Sequence, residues 1–102
     1  GLRRIDADTP FKDLITSPPA RGEERRIAPH PSLKPQQLMR QLVRASLPFG
    51  EGIVLDPFMG SGSTISAAVA VGVRSIGLEM NLEYYELATQ AIPRLAALLV
   101  KV

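Results

Sequence analysis

The chain is expected to be an α/β protein, a partial sheet of parallel strands with flanking helices. Three observations lead there. A short apolar run of β-formers, 53–55, stops at Asp56-Pro57 and gives way to a Gly60-Ser61-Gly62 turn and a helical stretch, 63–71. A second strand-forming run, 73–80, comes directly after Gly72, and strand, helix, strand with short connections implies a parallel pair and a right-handed crossover. Two strands and a few helices leave a parallel sheet uncovered, although such sheets are found buried on both faces. We therefore expect the fold to be incomplete in this chain, with the sheet completed by a missing segment, a second chain or a swapped copy. At 102 residues and 45% hydrophobic content, the chain makes at most one small domain.

Taken in order, residues 1–29 read as an irregular basic arm and 30–102 as an α/β segment. Prolines at 10, 18, 19, 29, 31 and 35 break any long helix in the first part. Residues 1–44 carry nine of the twelve Lys/Arg against five acids, a balance of +4, while the remainder carries −2. A basic arm beside a binding module suits an anionic partner such as DNA, though interspersed charge also keeps a loop-rich arm in solution. Pro35 suits the first position of a helix running to about Leu47. Its Leu38, Met39, Leu42, Val43 and Leu47 share an apolar face, with Arg40 and Arg44 placed opposite.

Pro48 and Gly50-Glu51-Gly52 end that helix and turn the chain into a strand expected to be fully buried. The helix over 63–71 is apolar nearly all round, as for an element packed on both sides, and Gly72 is its expected C-cap. The second strand ends on Glu79. Asn81 is a good N-cap for a last helix, with Glu83 complementing the dipole, until Pro93 breaks or kinks it. Tyr84 and Tyr85 read as packing residues, and lone His30 as a brace for its loop. The apolar tail 95–100 needs something to lie against. No cysteine is present, which excludes disulfides and thiolate metal sites, and a single histidine argues against zinc. With no membrane-length apolar segment and no leader pattern, the expected location is cytoplasmic.

The turn after the first strand brings backbone close to a ligand at a helix N-terminus. A P-loop would need a lysine where Ser63 stands, and a dinucleotide fingerprint a small residue at Ile65. Asp56-Pro57-Phe58-Met59-Gly60-Ser61-Gly62-Ser63-Thr64 instead resembles the S-adenosylmethionine-binding motif of DNA methyltransferases that modify an exocyclic amine of adenine or cytosine. His30-Pro31-Ser32-Leu33-Lys34-Pro35 is similar to the sequence that precedes that motif in the same family. Gly77-Leu78-Glu79-Met80 is similar to its second cofactor motif, and Glu79 lies about twenty residues past the turn, where nucleotide-binding folds set a carboxylate against ribose.

The resemblance covers residues 29 to about 98 and implies a Rossmann-like methyltransferase fold, S-adenosylmethionine as methyl donor, DNA as substrate and base flipping as the access route. It assigns Lys34 to the cofactor carboxylate and Asp56, Phe58, Met59, Gly60, Ser61 and Gly62 to the methionine end and the turn. Glu79 takes the ribose hydroxyls, and Met80 packs near the adenine. Asp56 accepts from the cofactor ammonium or braces the turn. Ser17-Pro18-Pro19 fits the first three positions of the family's catalytic tetrapeptide, but Ala20 lacks the ring that would stack on the base. We read it as a loop closing a recognition region and assign no catalytic residue and no metal. The rival reading is a non-catalytic remnant that keeps the pocket and serves as a partner or regulatory subunit.

Overall fold

The computed structural model describes residues 22–47 and 49–100. Helices α1 (Gly22–Ile27) and α2 (Gln36–Ser46) come first, then β1 (Ile53–Asp56), α3 (Ser63–Ala70), β2 (Arg74–Gly77) and α4 (Leu82–Ala96). The two strands pair in parallel, with Ile53 opposite Arg74 and Asp56 opposite Gly77. No helix among the described residues is long and apolar enough to cross a membrane.

β1 is not the fully buried strand that its composition suggests. Exposure alternates along both strands, and Leu55 and Ile76, paired across the sheet, remain about half exposed at 47% and 51%. α3 covers one face only, so the side chains that alternate to the other face have no partner among the described residues. On the covered face, Ala67 and Ala68 of α3 are wholly buried against Val43 of α2, with Val54 and Val73 packed alongside. The small alanine side chains let α3 lie close to the sheet and to α2 at once.

The stretch read as irregular contains α1. Its Glu23 and Glu24 fall in the first turn and Arg25 and Arg26 in the last, which complements the helix dipole at both ends. Glu24 is buried and its Oε1 accepts the Gln36 backbone N–H at 2.8 Å. It thereby caps α2, whose N-cap residue Pro35 has no side-chain cap of its own. Pro35 thus precedes the helix rather than starting it, and α2 ends one residue before Leu47. α3 likewise ends at Ala70 with Val71 as its cap, and Gly72 sits next at φ +79°, one place beyond the position expected.

Arg40 and Pro93 meet in one arrangement at the end of α4. Arg40 does not face solvent; it is buried and donates to the carbonyls of Leu98, Leu95 and Ala96 at 2.9, 3.0 and 3.3 Å, and to Gln36 Oε1 at 3.3 Å. Those carbonyls lie at and just beyond the end of α4, where the Leu95 carbonyl also takes the Leu98 N–H at 3.2 Å and the helix dipole favours a cation. Desolvation lowers the Arg40 pKa, Glu24 pulls it back up, and Arg44 lowers it further. Pro93 does not break α4, which runs through it to Ala96. The turn beyond the proline is held from outside, by Arg40 on its carbonyls and by Leu95, fully buried with Ala28, Leu33 and Ala91. The apolar tail finds its support there, although Leu99 stays exposed.

Two substitutions test this packing. Gly62 has φ +82°, and an added Cβ would sit 2.6 Å from Ile92 Cγ1, whereas Gly72 has φ +79° with nothing within 4 Å. Gly72→Ala should therefore cost about 1 kcal/mol for the backbone alone, and Gly62→Ala about 2 to 4 with the overpacking added, read as urea midpoints. Equal losses would show that Ile92 simply moves aside. Arg40→Met should lower stability by about 3 kcal/mol by stripping donors from buried carbonyls, while Arg44→Met on the exposed side should stay within about 0.5.

Candidate functional site

Beyond β1 the chain bends back onto the end of β2. Asp56 Oδ1 accepts the Phe58 N–H at 3.0 Å, Leu78 N–H donates to the Asp56 carbonyl at 2.9 Å, and Met59 N–H donates to the Leu78 carbonyl at 2.9 Å. This close approach needs Gly77, since a Cβ there would run into Met59 Sδ and Ile65. Gly60, at φ +51°, turns the backbone over, and Gly62 N–H closes the turn on the Met59 carbonyl at 2.7 Å. Glu79 joins the two sides. Its Oε1 accepts the Gly60 N–H at 2.9 Å and its Oε2 the Asn81 N–H at 2.8 Å.

The bend roofs a cavity of about 350 Å³, a size that suits a small ligand. Seven of the expected residues line it: Lys34, Asp56, Phe58, Met59, Gly60, Ser61 and Glu79. Two do not. Gly62 is buried against Ile92 and Ala88 of α4, so its role is to let α3 approach α4. Met80 is 96% exposed and lies outside the lining. Of the alternatives open for Asp56, bracing the turn is realised through Oδ1.

The cavity is lined by six further residues that the sequence did not individually assign to the cofactor: His30, Ser32, Ser63, Thr64, Asn81 and Tyr84. His30 does brace its loop, because Nδ1 accepts the Ser32 N–H at 2.9 Å. With Nδ1 accepting, the neutral ring carries its proton on Nε2, which is buried and has no partner among the described residues. The ring lies against Gly60, where an added Cβ would be 3.1 Å from His30 Cε1, and meets Tyr84 edge-on with centroids 4.2 Å apart. Tyr84 is thus a packing residue and a wall of the cavity. Asn81 caps α4 by accepting the Tyr84 N–H at 3.1 Å, and only its place two residues after Glu79 signals the second role.

At the cavity floor, Ser63 Oγ accepts the Lys34 N–H at 3.2 Å and lies 3.1 Å from Ser61 Oγ. α3 begins here with Gly62 as N-cap and no side-chain cap, leaving first-turn N–H groups without helical partners. The site therefore combines hydroxyls, a helix N-terminus and an orphaned imidazole donor with two carboxylates, Asp56 and Glu79. Such a set fits an amphoteric ligand with both anionic and hydroxyl or cationic groups.

The chain matches a family model described as DNA methylase over residues 5–90. It is 31% identical over 91 residues to the Type II methyltransferase M2.DpnII of Streptococcus pneumoniae, covering 89% of this chain and 34% of that protein. It is 41% identical over 63 residues to the DNA adenine methyltransferase YhdJ of Escherichia coli (strain K12), covering 62% and 21%. It also resembles the chain in the crystal structure of the M1.HpyAVI–SAM complex, with TM-score 0.63 and 29% identity over 89% of this chain and 43% of that one. The chain thus spans about a third of the length of M2.DpnII. With the family model running across most of its length, the chain belongs to the family of N6/N4 DNA methylases.

Proposed function

We propose that the chain is the cofactor-binding part of a site-specific DNA methyltransferase, which moves a methyl group from S-adenosylmethionine to an exocyclic amine of adenine or cytosine in DNA. The observation that carries the reading is the Glu79 carboxylate, turned onto the bend at Gly60 and lining the cavity. A carboxylate offers about four acceptor positions, and the two backbone N–H groups leave lone pairs free for two ribose hydroxyls. Family membership and the likeness to a methyltransferase solved with its donor support the same reading.

The other residues divide the donor between them. The uncapped start of α3, Lys34 and the His30 Nε2–H would receive the carboxylate, and Asp56 the ammonium. Phe58 is 82% exposed and lines the cavity, and its ring would cover part of the donor. When bound, S-adenosylmethionine would supply an electrophilic sulfonium methyl to the lone pair of the target amine. The described residues hold and orient for this step; none is assigned to deprotonate the amine, which needs orientation more than a base. The Ser17-Pro18-Pro19-Ala20 stretch lies outside the described residues.

Site-specific action also needs a recognition region and a covered sheet. The half-exposed Leu55 and Ile76 face of the sheet is where a missing segment, a second chain or a swapped copy would complete the fold. A cytoplasmic location goes with this reading, since the substrate is genomic DNA.

Three measurements bear on it. Calorimetry should show S-adenosylmethionine binding that weakens at least about tenfold in Glu79→Ala, the loss of a charged hydrogen-bonding partner. Unaltered affinity in that variant removes the ribose assignment. With labelled donor and unmethylated DNA, methyl transfer by the completed protein should survive Ser17→Ala; its loss would make Ser17 catalytic. The 102-residue chain alone should not behave as a compact, cooperatively melting monomer by light scattering and thermal scans.

A further inference from the structure

We propose that Gln36, which does not touch the cavity, is a positioning residue that sets the cavity floor through Ser63. The proposal rests on the reading of the cavity as an S-adenosylmethionine site. Gln36 is 0% exposed, a wholly buried polar side chain at the start of α2. Its Nε2 donates to the Ser63 carbonyl at 2.9 Å, its Oε1 accepts from Arg40 Nε, and its backbone N–H goes to Glu24. An apolar residue of that size would fill the space without the desolvation cost of an amide.

The need for the amide lies in how α3 begins. Gly62 gives its first turn no capping side chain, so no local cap fixes the start of α3 at Ser63. The anchor comes from α2 instead, 27 residues away in sequence. Held by its carbonyl, Ser63 presents Oγ to the Lys34 N–H and to Ser61 Oγ. Lys34, Ser61 and Ser63 all line the cavity. Gln36 thereby ties the 30–35 loop and the glycine bend into one floor, and it is itself fixed by Glu24 and Arg40 so that the amide has a single orientation.

The test pairs affinity with amide exchange in the completed protein. Gln36→Met should weaken S-adenosylmethionine binding about tenfold, the equivalent of one buried hydrogen bond, and should speed exchange of the Lys34 amide. Ser63→Ala should weaken binding similarly, and adding Gln36→Met to it should change affinity less than about twofold, since both act through one group. Val43→Ala, which thins the α2–α3 seam without touching Ser63, should lower stability and leave affinity and Lys34 exchange alone. Additive losses, or equal effects from Val43→Ala, would overturn the proposal. If the completed wild-type protein binds no S-adenosylmethionine, the cofactor reading fails. Exchange then decides Gln36 alone: faster at Lys34 than in Val43→Ala upholds it, equal rates overturn it. Should Gln36→Met not fold, Gln36→Glu keeps volume and the acceptor facing Arg40 but lacks the donor, and carries the same expectations.

Discussion

The closeness of the bend after β1 to the end of β2 is the constraint on which the site depends. Asp56, Leu78 and Met59 zip the two segments through backbone hydrogen bonds, and Glu79 bolts them with one oxygen on Gly60 and one on Asn81. Hydrogen bonds to a charged acceptor are each worth about 1.5–3 kcal/mol, so this single side chain rivals a small cluster of apolar contacts. It does so while remaining half-buried at the cavity, where its other lone pairs stay available. The same carboxylate therefore both holds the bend and lines the cavity.

Backbone freedom is the second condition, and the glycines divide the labour. Gly60 turns the chain over beneath the His30 ring, Gly62 admits Ile92, and Gly77 admits Met59 and Ile65. Only Gly60 of these three touches the cavity. A glycine-rich motif reads in sequence as a ligand contact throughout, but here part of it exists so that α3 and α4 meet. Packing and binding are written in the same residues, and sequence alone does not separate them.

The strand–turn–helix–strand order was legible because each segment carries its own signal. Ile53, Val54 and Leu55 are β-formers, the glycines stop them, and Asn81 caps the last helix. Seven of the residues that line the cavity were legible for the same reason, since they lie within or beside those signals. The features that escaped depend on partners far away in the chain. α1 is too short for a periodic pattern, and its Glu24 matters only because α2 lacks a cap. Arg40 falls opposite the apolar face of α2, so its burial is visible only once the end of α4 is placed beside it. Pro93 breaks helices by default, and only the external grip of Arg40 and the burial of Leu95 carry α4 past it. His30 and Tyr84 were read locally as brace and packing, which they are; that their meeting walls a cavity is a tertiary fact.

These long-range polar contacts form one connected set. Glu24 holds Gln36, Gln36 holds Ser63 and Arg40, and Arg40 holds the end of α4, with Ser63 passing the connection to Lys34 and Ser61. Buried polar groups are costly unless every member is satisfied, and among the described residues the one orphan, His30 Nε2, lies at the cavity itself. The network is thus complete there except where a ligand would complete it. A chain that leaves one sheet face open has little core to spare, so an acceptor supplied at that position contributes to the folded state as well as to binding. By mass action a ligand at a hundred times its dissociation constant adds about 2.7 kcal/mol to a folded protein, a sizeable share of the stability so small a domain possesses. A ligand that paired His30 Nε2 would therefore couple binding at the cavity to folding of this segment.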